Sequence, residues 1–259
     1  MLLAVDIGNT TAAVGAAEKD AEAGYKILFT GRIPNDEHLT AQGYAARVRQ
    51  LLRENGAAVG DVHGVIISSV VPAVLAEMRE GMRTLFGKEP MLLTSESRLG
   101  LTLAVDVPEK VGRDRLCDAA WAAEYYPLPA VTVDLGTATT FNVIGEGRVF
   151  LGGAIAAGVS ISLRALTERT AQLPSVPLYT PESIIGRNTE ESIVSGIIAG
   201  TASMVDGMVR KFERELGKPV TLILTGGAAS LAEPLIEHAH IYDRDLLLKG
   251  LALLYEKNT

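Results

Sequence analysis

Two segments half a chain apart carry one signature. Asp6-Ile7-Gly8-Asn9-Thr10-Thr11 and Asp134-Leu135-Gly136-Thr137-Ala138-Thr139 both read Asp-x-Gly-x-x-Thr, offset by 134 − 6 = 128 in a chain of 259 residues. Each follows a short run suited to a buried strand, Leu2 to Val5 and Ala130 to Val133, and precedes a second such run. A strand that feeds a tight turn and returns as a hairpin fits both. The period is too long for a solenoid. It predicts a duplicated α/β domain, residues 1–115 and 116–259, with a ligand site in the cleft between the two copies.

The turns suit an oxyanion. Glycine lets the backbone approach without a Cβ in the way, and successive N–H groups can converge into an anion-binding concavity. Thr10, Thr11, Thr137, Thr139 and Thr140 add hydroxyl donors. Asp6 and Asp134 would repel a bare phosphate. They make sense as ligands, direct or through water, of a cation bridging to it. One copy alone reads more readily as an ordinary hairpin turn; two copies in matched positions reverse that and favour the phosphate. There is no Gly-x-x-x-x-Gly-Lys-Ser/Thr loop and no dinucleotide fingerprint.

Composition narrows the partners. The net charge of −7 offers no basic footprint for nucleic acid, so an anionic ligand must be held by local backbone amides or a cation. A single cysteine, Cys117, excludes an internal disulfide framework and a cysteine zinc cluster, and fits a reduced cytoplasmic setting. Met1 to Asp6 lacks the basic region of a secretory signal. No uninterrupted apolar run approaches the ~18 residues that cross a membrane.

Between the turns, further strands are expected over 25–33, 65–71, 91–94, 141–144, 148–155 and 221–224. Helices are expected up to Gly56, from Pro72 to about Phe86, and over 116–126, 160–173, 190–216, 228–236 and 245–255. Thr225-Gly226-Gly227 closes a strand where a base or ribose can lie flat on the chain, or simply turns strand into helix. His238 and His240 read as a solvated loop, His38 and His63 as isolated, and Cys117 as a small helix-face hydrophobe. Thr189 reads as a helix N-cap, with Glu190 and Glu191 in the first turn.

Gly112-Arg113-Asp114-Arg115 places a carboxylate between two arginines, which favour its ionised form. It can accept a proton from an alcohol while an arginine holds an anionic group. On residue types alone a helix N-cap aspartate with surface arginines is the favoured explanation of the segment.

Together with Ser68-Ser69-Val70-Val71-Pro72, Gly152-Gly153-Ala154-Ile155-Ala156, Asn188-Thr189 and Thr225-Gly226-Gly227, these motifs resemble type III pantothenate kinase, in that family's order along nearly the whole chain. The resemblance implies two ribonuclease-H-like domains of the actin/hexokinase/acetate-kinase type, a homodimer, and ATP-dependent phosphorylation of pantothenate, the first step of coenzyme A synthesis. It implies Mg²⁺ with ATP and a monovalent cation, K⁺ or NH₄⁺. By position, Asp6, Ile7, Gly8, Asn9, Thr10, Thr11, Ala12 and Ala13 bind ATP phosphates, with Asp6 toward magnesium directly or through water. Thr137 contacts ATP and Asp134 helps hold the monovalent cation. Asp114 accepts the proton, and Gly112, Arg113, Asp114, Arg115 and Thr189 contact pantothenate. The chain departs from the family at Val105, where many members carry tyrosine against the substrate, at Arg113, usually small or apolar, and at Ala157-Gly158, usually Pro-Gly. A kinase of the same superfamily for another small alcohol or acid, or a non-catalytic nucleotide-binding regulator, are the alternatives these departures leave.

Overall fold

The computed structural model describes residues 1–36, 38–169 and 173–259. In chain order the elements are β1 (Leu2–Ile7), β2 (Thr11–Asp20), β3 (Gly24–Pro34), α1 (Ala41–Glu54), β4 (Gly64–Ser69), α2 (Pro72–Phe86), β5 (Met91–Leu92), β6 (Thr102–Leu103), α3 (Arg113–Tyr125), β7 (Ala130–Leu135), β8 (Ala138–Gly145), β9 (Val149–Ala157), α4 (Val159–Arg169), α5 (Thr189–Leu216), β10 (Thr221–Thr225), α6 (Ala229–Ala232), β11 (His240–Tyr242) and α7 (Leu246–Asn258). The expected helix over 160–173 is α4 as far as Arg169, and its stretch 170–172 lies outside the described residues.

Two sheets form. One runs β3-β2-β1-β4-β5; the other runs β11-β10-β7-β8-β9-β6. In both, the first strand pairs antiparallel with the second and parallel with the fourth. Leaving out β6, the second sheet repeats the order of the first, so the duplication and the ribonuclease-H-like topology of each unit are present in the backbone.

The expected boundary at 115/116 is not where the chain divides. One unit comprises Met1–Leu101, Asp106–Tyr125 and Asp245–Thr259; the other comprises Thr102–Val105 and Tyr126–Arg244. The physical reason is helix packing. Helix α3 is buried along Leu116 to Ala123 and packs on α7, which lies against β1 to β4. Gly250 of α7 meets the backbone of Cys117 so closely that a Cβ there would lie 2.7 Å from the Cys117 carbonyl carbon. Both helices therefore belong with the first sheet. Thr102 and Leu103 leave that unit because they pair with Val149 and Phe150.

Within the first unit, alternation along β1 sends Leu3, Val5 and Ile7 into a core with Tyr44, Val48 and Leu52 of α1 and Val74, Met78 and Met82 of α2. Leu2, Ala4 and Asp6 take the opposite face. Gly15, registered with Ala4, meets Leu248 of α7 there. Each fully buried Leu or Ile side chain contributes ~1.5–3 kcal/mol. A slip of one residue would drive Asp6 into the apolar core, so the register is strongly specified. Polar Asp6 is acceptable only because it is the last residue but one, where the strand leaves the core.

In the second unit Val131, Val133 and Leu135 face α5, whose buried side includes Ile193, Val194, Ile198, Val205 and Val209. Helix α5 is long and apolar enough by length and composition to cross a membrane, and 61% of its most apolar stretch is buried inside the protein. Asp206, on the same helix, accepts the backbone N–H groups of Glu237 and His238 at 3.0 Å each. That anchors the segment leading into β11, so His240 stands in a strand parallel to β10 and not in the expected solvated loop. The His238 and His240 rings lie beside Glu213 and Glu233.

Packing at Gly250 gives a direct test. The added methyl in Gly250→Ala meets backbone that cannot rotate away, and overpacking of this kind costs ~1–3 kcal/mol. Thermal unfolding should shift down by roughly 5 °C. An unchanged midpoint would mean that α3 and α7 are not held at this distance.

Candidate functional site

Both Asp-x-Gly turns sit at the end of a first strand, as expected, but they are not identical. Ile7 pairs with Ala12, leaving residues 8–11 in the first turn; Leu135 pairs with Thr139, leaving 136–138 in the second. Gly8 N–H donates to Thr11 O and Gly136 N–H to Ala138 O, both at 3.1 Å. The second turn is one residue shorter. The offset of 128 holds for the first strands and the acids, while Thr139 corresponds structurally to Ala12 and not to Thr11. The threonine of the sequence repeat is therefore no true repeat. Thr11 lies in the turn, whereas Thr139 is fully buried with a hydroxyl that has no hydrogen-bond partner.

In the first turn Asn9 and Thr10 are exposed, Gly8, Thr11 and Ala13 half-buried, and Ile7 and Ala12 buried. A Cβ added at Gly8 would touch only Thr11 O, at 3.4 Å. Glycine is thus not demanded by the protein's own packing there, which leaves close approach by a ligand as a reason for it. Ser68, registered beside Asp6 in the parallel strand β4, is fully buried, and its hydroxyl has no partner.

The second turn is walled by backbone. Gly226, at φ 99°, brings its Cα against Asp134, and a Cβ there would collide with the Asp134 carboxylate and lie 2.5 Å from Leu135 N. Ala228 N–H donates to Leu135 O at 2.9 Å. Gly158 presses equally on the carbonyls of Gly136 and Thr137. So Gly226 and Gly158, distant from Asp134 in sequence, have a shared reason: only glycine allows chain this close to the Asp134 turn. Thr137 itself is exposed.

Asp114 lies in the first turn of α3, which begins at Arg113, so it is not an N-cap. Its Oδ1 accepts the Arg115 N–H at 2.9 Å, and the positive end of the helix favours a carboxylate there. Arg113 donates to Ser69 O at 3.3 Å, tying the substituted motif residue to the end of β4. Arg115 is half-buried; burial lowers its pKa from the ordinary arginine value, and the Asp114 carboxylate opposes that shift. Burial also pushes the Cys117 thiol well up, and the carboxylates of Asp6, Asp118 and Asp114 add to it. Asp118, buried and one helical turn beyond Asp114, was given no role by sequence reasoning.

Thr189 is the first residue of α5 and the N-cap is Asn188, whose side chain accepts Glu191 N–H at 2.9 Å. Thr189 is exposed at that helix start, with Glu190 and Glu191 in the first turn as expected. Val105 lies in the short segment carried by the second unit, its Cγ1 3.6 Å from where a Cβ on Gly152 would be. Among the described residues no group of three His, Cys, Asp or Glu side chains is gathered to hold a metal ion.

Asn35 was not singled out from the sequence. It follows β3, and its Nδ2 donates to Gly8 O at 2.6 Å while its backbone N–H donates to Thr10 O at 3.0 Å. It lies 27 residues from Gly8, and only strand pairing brings the two together.

The Cys117 environment sets a measurable expectation. A buried thiol with a raised pKa is a poor nucleophile. The native protein should show no reaction with an aromatic disulfide reagent at about pH 8, and one thiol per chain should appear on unfolding. Rapid reaction of the native protein would show the α3 surroundings to be open.

The family model described as type III pantothenate kinase matches residues 2–211. A type III pantothenate kinase of Thermomicrobium roseum is 38% identical over 257 residues, covering 99% of this chain and 97% of that one. Another, of Halalkalibacterium halodurans, is 36% identical over 258 residues, covering 100% of both. Among solved structures, a Baf family protein from Campylobacter jejuni superposes with a TM-score of 0.60 at 18% identity, covering 99% of this chain and 98% of that one. Component A of (R)-2-hydroxyglutaryl-CoA dehydratase from Acidaminococcus fermentans gives 0.55 at 16% identity, with 100% and 99% covered. These two likenesses concern the fold alone. With a family model spanning most of its length and relatives matched end to end, the chain belongs to the type III pantothenate kinase family.

Proposed function

We propose that this protein transfers the γ-phosphoryl group of ATP to the primary hydroxyl of pantothenate, giving 4′-phosphopantothenate and ADP at the entry to coenzyme A synthesis. Family membership supports the reaction, and the observation that carries the chemistry is Asp114, held at a helix start between Arg113 and Arg115. In this reading the Asp114 carboxylate accepts the hydroxyl proton. The freed oxygen attacks the γ-phosphorus, the bond to the bridging oxygen breaks, and ADP leaves. Arg113 and Arg115 supply positive charge for the pantothenate carboxylate, with Gly112, Thr189 and Val105 bordering the substrate. Residues 6–13 present amides and hydroxyls to the phosphates, and Thr137 contacts ATP from its own turn.

Two cations belong to this proposal. Magnesium is usually held by one or two carboxylates plus substrate phosphates, which fits Asp6 at a turn where, among the described residues, no metal-holding cluster is gathered. The glycine cradle that brings backbone against the Asp134 carboxylate fits a monovalent ion, K⁺ or NH₄⁺, bound by carboxylate and carbonyl oxygens. When bound, such ions offset the charge that develops on the transferring phosphoryl group. The protein works in the cytoplasm as a homodimer, without nucleic acid or membrane partners. Adjacent Ile184 and Ile185, 60% and 80% exposed, are apolar surface that a second copy would cover.

ADP release with ATP, magnesium and pantothenate, in potassium, ammonium or sodium salts, tests the reading. Pantothenate-dependent release that requires potassium or ammonium supports the substrate and the role of Asp134; ATP binding without release discards pantothenate as the acceptor. Asp114→Asn keeps an oxygen to accept Arg115 N–H, so it should fold and bind ATP. Its kcat should fall by ~10²–10⁴, and near-normal turnover would remove Asp114 from the mechanism.

A further inference from the structure

The residue after the third strand occupies the same place in both units. Thr11 registers with Pro34 in the first and Ala138 with Ala157 in the second, so Asn35 and Gly158 are equivalent. Both engage the same two carbonyls of their turns. Gly158 does so by backbone contact with Gly136 O and Thr137 O, leaving no space for a side chain. Asn35 does so by hydrogen bonds, Nδ2 to Gly8 O and backbone N–H to Thr10 O.

We propose that Asn35 is a positioning residue that aims the amides of the first phosphate turn. The inference rests on the reading of residues 6–13 as that turn. A trans peptide is planar, with its C=O and N–H pointing in opposite directions. Holding Gly8 O and Thr10 O on the Asn35 side therefore directs the Asn9 and Thr11 N–H groups the other way. Without the clamp, a glycine-containing turn is free to rotate those peptide planes, and binding phosphate must then meet the entropic cost of ordering them. The Asn35 Oδ1 atom is buried without a hydrogen-bond partner. An unpaired buried acceptor is unfavourable, so the side chain is held for what its Nδ2 does.

Steady-state kinetics with both substrates tests this. In Asn35→Ala the bond from the backbone N–H to Thr10 O survives, so the sheet edge should persist while the bond to Gly8 O is lost. KM for ATP should rise about tenfold, with KM for pantothenate unchanged. Asn35→Ser, which keeps a shorter donor, should lie between, and it carries the measurement if the alanine variant does not fold. A purely structural residue would lower the active fraction, hence kcat, and leave KM for ATP alone; that result overturns the proposal. Gly8→Ala, whose methyl the turn itself can accommodate, separates the two claims. If it raises KM for ATP and the Asn35 variants do not, the clamp is wrong and the phosphate turn stands. If neither moves it, the turn reading fails as well.

Discussion

The structure depends on one arrangement of hydrogen bonds: a first strand paired antiparallel on one side and parallel on the other, with its carboxylate at the exit. Both β1 and β7 are buried on both faces over most of their length, and such strands exclude charge. Asp6 and Asp134 are carried on the face opposite the main apolar core, one residue before each strand ends. The turn that follows must then reverse the chain at the same edge. Acid and glycine are thereby collected by sheet geometry, not by any affinity between them.

The two copies have solved the support of that turn differently. Around Asp134 the supporting chain comes so close that Gly158 and Gly226 are obligatory, and Gly226 adopts a backbone conformation unfavourable to other residues. Around Asp6 the support includes a side chain, Asn35, and a Cβ added at Gly8 would touch only Thr11 O. This difference in support accompanies a hairpin turn that is one residue longer at Asp6 than at Asp134.

Asp114 is positioned by another consequence of packing. Helix α3 is nearly all buried from Leu116 to Ala123, and the alanine-rich surface and Gly250 permit close contact with α7. Because α7 is the last element of the chain, the unit that carries Asp6 and Asp114 is completed only by residues 245–259. The chemistry proposed for the N-terminal turn thus relies on the C-terminal helix for its foundation.

Residue patterns alone determined the duplication, the strand-turn-strand at each Asp-x-Gly, most helices, and the carboxylate between two arginines. These are local signals, written in adjacent residues by periodicity, glycine and charge. Tertiary structure decided the rest. It assigned α3 and α7 to the first unit, because helix burial depends on which sheet face is vacant. It showed that Thr139 matches Ala12, because register is a property of two strands and not of one. It made Asn188 the cap in place of Thr189, since a cap is defined by where the backbone first turns helical. It put His240 in a strand held by the distant Asp206, and it brought Asn35 to Gly8. No run of neighbouring residues encodes such contacts; they exist only once strands far apart in the chain exchange hydrogen bonds.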